Sequence, residues 1–292
     1  GFDYSWSPDG KWFTLEFIGN RHDPYSDIGM VSAQGGKIIN LTNSGYTSGS
    51  PRWVLDGNAI LFITERYGMR AHASWGSLND VMLVFMNQDA YDKFRLSKED
   101  YELQKELEKE QKNTTETKKN DKKKGDNKEK SEEKKEEKVK DIVVELNNIE
   151  DRIVRLTPNS SDLGSAIITK DGETLYYLSA FEGGYDLWKM NLRKKDTKLL
   201  HKMDAGWANM EMDKDGKNLF LLGSNTMQKM GTDSESLKPI SYQAHVKMDL
   251  AAERDYMFNH VYKQEQKRFY NLNMHGIDSV SYTHLTLPTS DL

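Results

Sequence analysis

Two short clusters in this chain hold residue types found in hydrolytic triads. His22-Asp23 precedes Ser26, and His72 stands two residues before Ser74. A triad needs nucleophile, base and orienting carboxylate brought together in space beside oxyanion donors, which adjacency in sequence does not provide. Pro24 and Tyr25 follow the first pair, between two strand-like runs. Hydrogen-bonded loops are expected at both clusters, and no catalytic residue is assigned. Arg66 and Arg70 flank Tyr67-Gly68-Met69 just after another strand-like run. Their forked guanidinium groups suit a carboxylate, which they grip through two parallel hydrogen bonds. The plainer alternative is two surface arginines in a loop. The seven histidines are scattered without metal-ligand spacing. With no cysteine, disulfides and thiolate metal sites are excluded. Gly35-Gly36 and Gly183-Gly184 are turn glycines, since no helix begins after them to cradle a phosphate. No metal or cofactor is therefore assigned.

The elements that must position these residues are written in a repeated turn. Trp6-Ser7-Pro8-Asp9-Gly10-Lys11-Trp12, Trp53-Val54-Leu55-Asp56-Gly57-Asn58, Thr169-Lys170-Asp171-Gly172-Glu173 and Asp213-Lys214-Asp215-Gly216-Lys217 each link two strand-like runs through Asp-Gly. Asp-Gly suits a tight hairpin because glycine takes positive φ without a Cβ clash. Asp9 and Asp56 are 47 residues apart, and Asp171 and Asp215 are 44. That is the period of a four-stranded propeller blade, about 40–50 residues. Asp27-Ile28-Gly29-Met30-Val31 and Asp186-Leu187-Trp188-Lys189-Met190 read as third strands. Lys37–Thr42 and Arg152–Thr157 read as fourth strands. A mainly β chain follows, a partial β-propeller of four-stranded blades. An ordinary β-sandwich with Asp-Gly hairpins is the competing architecture, but its strands do not usually repeat one turn in register. Four blades with open edges are few for a closed ring, so a larger propeller is expected. In that frame Arg66 and Arg70 reach a channel mouth. Trp12, Trp53, Trp188 and Trp207 serve core packing.

The gap from Asp56 to Asp171 spans 115 residues, which exceeds one period. The excess lies between a third strand near Asp80–Met86 and the fourth strand at Arg152–Thr157. The blades therefore occupy 1–96 and 141–248, and a charged low-complexity insertion occupies 97–140. Ser97 is placed as an N-cap with Asp100 three residues on, so a short exposed helix is expected to 111. Beyond Asn113 too little apolar surface remains to offset ordering entropy, and disorder is expected. The net charge of −5 gives no nucleic-acid footprint. Balanced signs in the insertion argue against a polybasic lipid binder, and no apolar run reaches the length of a membrane span.

From Asp249 the pattern changes. Leu250, Met257, Phe258, Val261, Tyr262 and Phe269 share a helical face, so 249–278 reads as the first helix of another domain. Val280-Ser281-Tyr282-Thr283-His284-Leu285-Thr286-Leu287-Pro288-Thr289 resembles the translation of a sequencing adapter, and 279–292 is read as non-biological.

Trp6-Ser7-Pro8-Asp9-Gly10-Lys11 resembles the signature of TolB-like and tricorn-type propellers. Met248-Asp249-Leu250 through Gln264–Tyr270, ending Met274-His275-Gly276-Ile277-Asp278, looks like the start of the helical core of bacterial tricorn protease homologues. The resemblance implies a multidomain serine peptidase degrading oligopeptides, with the catalytic residues downstream. This piece is then the gating propeller ahead of the core domain, inactive by itself. It further implies peptide substrates in the propeller channel; the guanidinium chemistry of Arg66 and Arg70 would there suit a peptide's C-terminal carboxylate. Downstream PDZ-like and catalytic domains are implied as partners, with a homo-oligomer when full length. The compartment implied is cytoplasmic, with a periplasmic alternative. A stand-alone TolB-like binding module is the competing reading.

Because the 113–138 run has so little to bury, its deletion is expected to leave the melting temperature nearly unchanged; a thermal melt of the deletion variant checks this.

Overall fold

The computed structural model describes residues 3–19, 24–70, 76–107, 141–224, 226–271 and 273–276. The expected His22, Asp23, His72 and Ser74 loops lie outside them, as do most of the charged insertion and the 279–292 tail. The chain divides into two units, Gly1–Ile240 and Ser241–Leu292.

The first unit holds four antiparallel sheets, each of four strands in sequence order. The first blade is β1 (Tyr4–Trp6), β2 (Trp12–Phe17), β3 (Asp27–Ser32) and β4 (Ile39–Asn40). The second is β5 (Ser48–Val54), β6 (Ala59–Thr64), β7 (Asp80–Phe85) and β8 (Ile153–Arg155). The third is β9 (Asp162–Ile168), β10 (Thr174–Ala180), β11 (Tyr185–Asn191) and β12 (Asp196–Ala205). The fourth is β13 (Ala208–Met212), β14 (Asn218–Gly223), β15 (Thr226–Gly231) and β16 (Leu237–Pro239). This is the propeller arrangement, and the sandwich alternative falls.

The side-chain period of two explains the stacking. On β6, Ile60 and Phe62 pack with Ile28 and Met30 of the first blade. Ala59 and Leu61 point the other way, to Ala166 and Tyr177 of the third. On β10, Tyr176 and Leu178 turn to Leu219 and Leu221 of the fourth blade. The core is thus three apolar seams between successive blades. On β14 the alternate positions Phe220 and Leu222 are exposed, as are Tyr4 and Trp6 on β1. Trp207, expected as core, is also 53% exposed. It stands just before β13, in the end blade, where no further blade covers it.

All four Asp-Gly glycines take positive φ, from 68° at Gly10 to 88° at Gly57. In three blades the polar residue that opens the turn accepts from the amide five positions on. Trp12 N donates to Ser7 Oγ (2.9 Å), Thr174 N to Thr169 Oγ1 (3.0 Å) and Asn218 N to Asp213 Oδ1 (3.1 Å). The second blade has Val54 there, which offers no oxygen. Its turn closes differently, with Leu55 and Asp56 themselves at positive φ.

In three blades an aspartate at the start of the third strand holds the end of that blade. Asp27 accepts from Asn40, Thr42 and the amide of Ser44. Asp80, fully buried, accepts from Arg155, Thr157 and Ser160. Asp186 accepts from the amides of Met203 and Asp204.

The second unit contains a helix, Leu250–Arg268. Asp249 caps it by accepting from the amides of Ala251 and Ala252. Leu250, Met257, Phe258 and Val261 are exposed. The unit begins at Ser241. Among the described residues no helix is long and apolar enough to cross a membrane.

Asp80→Ala should cost about 3 kcal/mol, because it strands the Arg155 guanidinium and two hydroxyls. In a unit of this size that is a drop of roughly 6–12 °C in melting temperature, with Asp80→Asn falling between; calorimetry checks the order.

Candidate functional site

Where the innermost strands converge they bound a cavity of about 290 Å³. Trp53 and Val54 come from β5, Ile167 and Ile168 from β9, Met212 from β13, and Pro8 from the turn after β1. The wall is largely apolar, and one ion pair stands in it. Arg52 Nη1 of β5 donates to Glu211 Oε1 of β13 at 3.3 Å. The pair therefore bridges the second and fourth blades across the innermost strand of the third.

In an antiparallel meander the first and third connections of each sheet emerge at one end. The Asp-Gly turns and the charged insertion therefore share a face. The insertion leaves after β7 through the helix Gln88–Arg95, capped by the Asn87 side chain accepting from Ala90 N. Residues 98–107 are helical, and Ser97 caps them through Asp100 N as expected. That helix is not free, however. Tyr101 is buried, whereas Leu103 and Leu107 are exposed. The Tyr101 ring stacks under the Arg193 guanidinium, 3.7 Å from centroid to Cζ. Arg193 also donates to the carbonyls of Phe94 and Leu96. Lys105 pairs with Glu173 at 2.7 Å, and that bond holds its ammonium above the usual lysine range.

The returning arm rests on the opposite side of the same face. Ile142 N donates to Asp9 Oδ2 (3.0 Å), and Lys11 pairs with Asp141 at 2.6 Å. Ile142 Cδ1 lies 2.3 Å from where a Cβ on Gly57 would stand, so a side chain at 57 would displace the arm. Between the two arms lies a second cavity of about 790 Å³. The described residues on either side, 97–107 and 141–142, are thus pinned to Asp-Gly turns. Burial raises the Asp9 carboxyl. Hydrogen bonds from Ser7, Ile142 and Lys11 and the Lys11 charge outweigh that and hold it below the usual range.

The arginines singled out from sequence sit in the β6–β7 connection, at the other end of the blade. Arg70 lies 4.0 Å from the Tyr46 centroid and donates to the Gly45 carbonyl. Arg66 lies 5.7 Å from the Tyr67 centroid. Both are exposed, and neither lines the axial cavity. Ser26 is buried and donates to the Ser48 carbonyl at 2.9 Å, a structural bond. Among the described residues no group of three or more acidic or histidine side chains is placed to hold a metal. The axial pair was missed because its members lie 159 residues apart. Nothing local marks Arg52 or Glu211 as facing one cavity.

Residues 250–284 match the tricorn protease C1 domain. The crystal structure of tricorn protease superposes with a TM-score of 0.63 at 10% identity, covering 96% of this chain and 26% of that one. A putative TolB from Agrobacterium tumefaciens covers 81% of this chain and 63% of its own at 13% identity, with a TM-score of 0.49. A 59-residue stretch is 39% identical to the uncharacterized peptidase YuxL of Bacillus subtilis (strain 168), covering 20% of this chain and 9% of that protein. The fold is that of a β-propeller. More particularly, the propeller blades are followed by a segment similar to the tricorn protease C1 domain, and the chain spans 26% of tricorn protease and 9% of YuxL.

Asp9 is depressed in the fold, so its contribution is complete above the ordinary carboxylate range and fades as pH falls through the lower folded value. Asp9→Ala should cost about 1 kcal/mol at neutral pH. That difference should shrink as pH falls below the ordinary carboxylate range. Thermal melts of both proteins across this range check the sign.

Proposed function

We propose that this chain is the passage-forming propeller of a tricorn-type serine peptidase that degrades oligopeptides. The observation that carries the reading is an axial cavity bounded by innermost strands, in a chain that runs directly into a C1-type helical segment. A largely apolar wall would hold an extended peptide weakly enough to let it move on. Bond cleavage belongs to groups supplied elsewhere in the complete protein. On the opposite face, Arg66 and Arg70 meet the C-terminal carboxylate of an incoming peptide. The Arg70 guanidinium is already oriented there by Tyr46, which lowers the entropy lost on binding.

The product of the complete gene should hydrolyse oligopeptides and lose that activity to a serine-directed inhibitor, while this chain by itself should not turn them over. Inhibitor-sensitive turnover by the chain alone would contradict the assignment. In the complete enzyme, Arg66→Ala and Arg70→Ala should raise KM several-fold for peptides with a free C-terminus and leave C-terminally amidated peptides unchanged.

A further inference from the structure

The Arg52–Glu211 pair does not belong to any seam that holds the blades together. The seams are apolar and lie between neighbouring sheets. The pair links sheets that are not neighbours, through the cavity that the passage reading depends on. Both side chains keep substantial exposure, 41% for Arg52 and 69% for Glu211. An ion pair so exposed contributes little to stability, roughly 0–1 kcal/mol, and is screened by salt. It therefore opens at small cost, which suits a bar across a passage better than a brace.

We propose that Arg52 and Glu211 form a charge-selective bar across the axial cavity and decide which groups pass it. When the pair is closed, each charge neutralises the other and the passage is narrowed. A molecule that carries an anionic group opens the bar by taking Arg52 from Glu211, and a cationic group does so by taking Glu211. Apolar segments gain nothing from either residue and are held back. Trp53, Ile167 and Met212 form an apolar wall of the same cavity. Lys170, Asp56 and Asp213 also line this cavity, from the Asp-Gly turns at its end. They draw charged molecules towards the bar without closing the passage. The selectivity belongs to the passage reading, but the bar is a physical property of the cavity and is measurable without any peptide.

The chain has no cysteine, so one introduced thiol reports on the cavity alone. Ile167 lies on β9, between the strands that carry the pair, and is partly buried. Ile167→Cys would be reacted with anionic, cationic and neutral methanethiosulfonate reagents of similar size. The comparison is between the intact pair and added Glu211→Gln or Arg52→Gln. Met212→Cys serves as a second reporter should Ile167→Cys fold poorly, with circular dichroism confirming the fold of each variant. Glu211→Gln should speed the anionic reagent at least fivefold, and Arg52→Gln the cationic one. High salt should speed all three reagents in the parent and change little in the variants. Rates that stay within twofold, or that rise equally for every charge type, overturn the proposal. A charge-selective bar in a protein whose complete form proves not to pass peptides would sink the proposed function and leave the bar standing.

Discussion

Every blade of this propeller is a sheet with two apolar faces, and that constraint governs the rest. A strand that alternates Ala59, Leu61 with Ile60, Phe62 has no solvent side. Each such buried side chain contributes about 1.5–3 kcal/mol relative to exposure, so a blade with a neighbour on only one face forfeits about half of that stabilisation. Blades two and three are covered on both faces. Blades one and four each keep an apolar flank, at Tyr4 and Trp6 and at Phe220 and Leu222. Radial stacking also places four innermost strands around one axis, and the cavity is a geometric consequence of covering the seams.

The turns at one end of that axis carry more than hairpin chemistry. Asp9, Gly57 and Glu173 close hairpins or flank them, and each also receives a root of the insertion. A long excursion after β7 therefore leaves the blade pairing undisturbed. Met82, Leu83 and Val84 still pair with Arg155, Val154 and Ile153 across it. Among the described residues its anchorage is polar and peripheral, with Tyr101 as the apolar contribution from the charged run, held under Arg193.

Much of the fold was legible because its signals are local. Asp-Gly marks a turn through glycine's own backbone freedom, and the recurrence of the turn measures the blade. The Ser97 cap was legible from its side-chain type and from Asp100 three residues on. The second-blade turn departed from its siblings at one residue, Val54, whose missing oxygen is visible in the sequence once the role of Ser7 is known. The candidate site was much less legible. Facing the axis depends on how sheets are angled to one another, which no short motif encodes. Arg52 sits in an ordinary strand, and Arg66 and Arg70, more conspicuous in sequence, stand away from the cavity. The docking of Tyr101 was hidden in the same way, since Arg193 lies in another blade.

The central claim is that blades two and four face one another across an axis, with blade three between them. Cysteines at positions 52 and 211 in the otherwise thiol-free chain, treated with a short bifunctional maleimide and digested, test it directly. The radial account predicts an efficient cross-link within single chains at high dilution. If both thiols react separately but never join within one chain, the blades are not arranged around a common passage and the account fails.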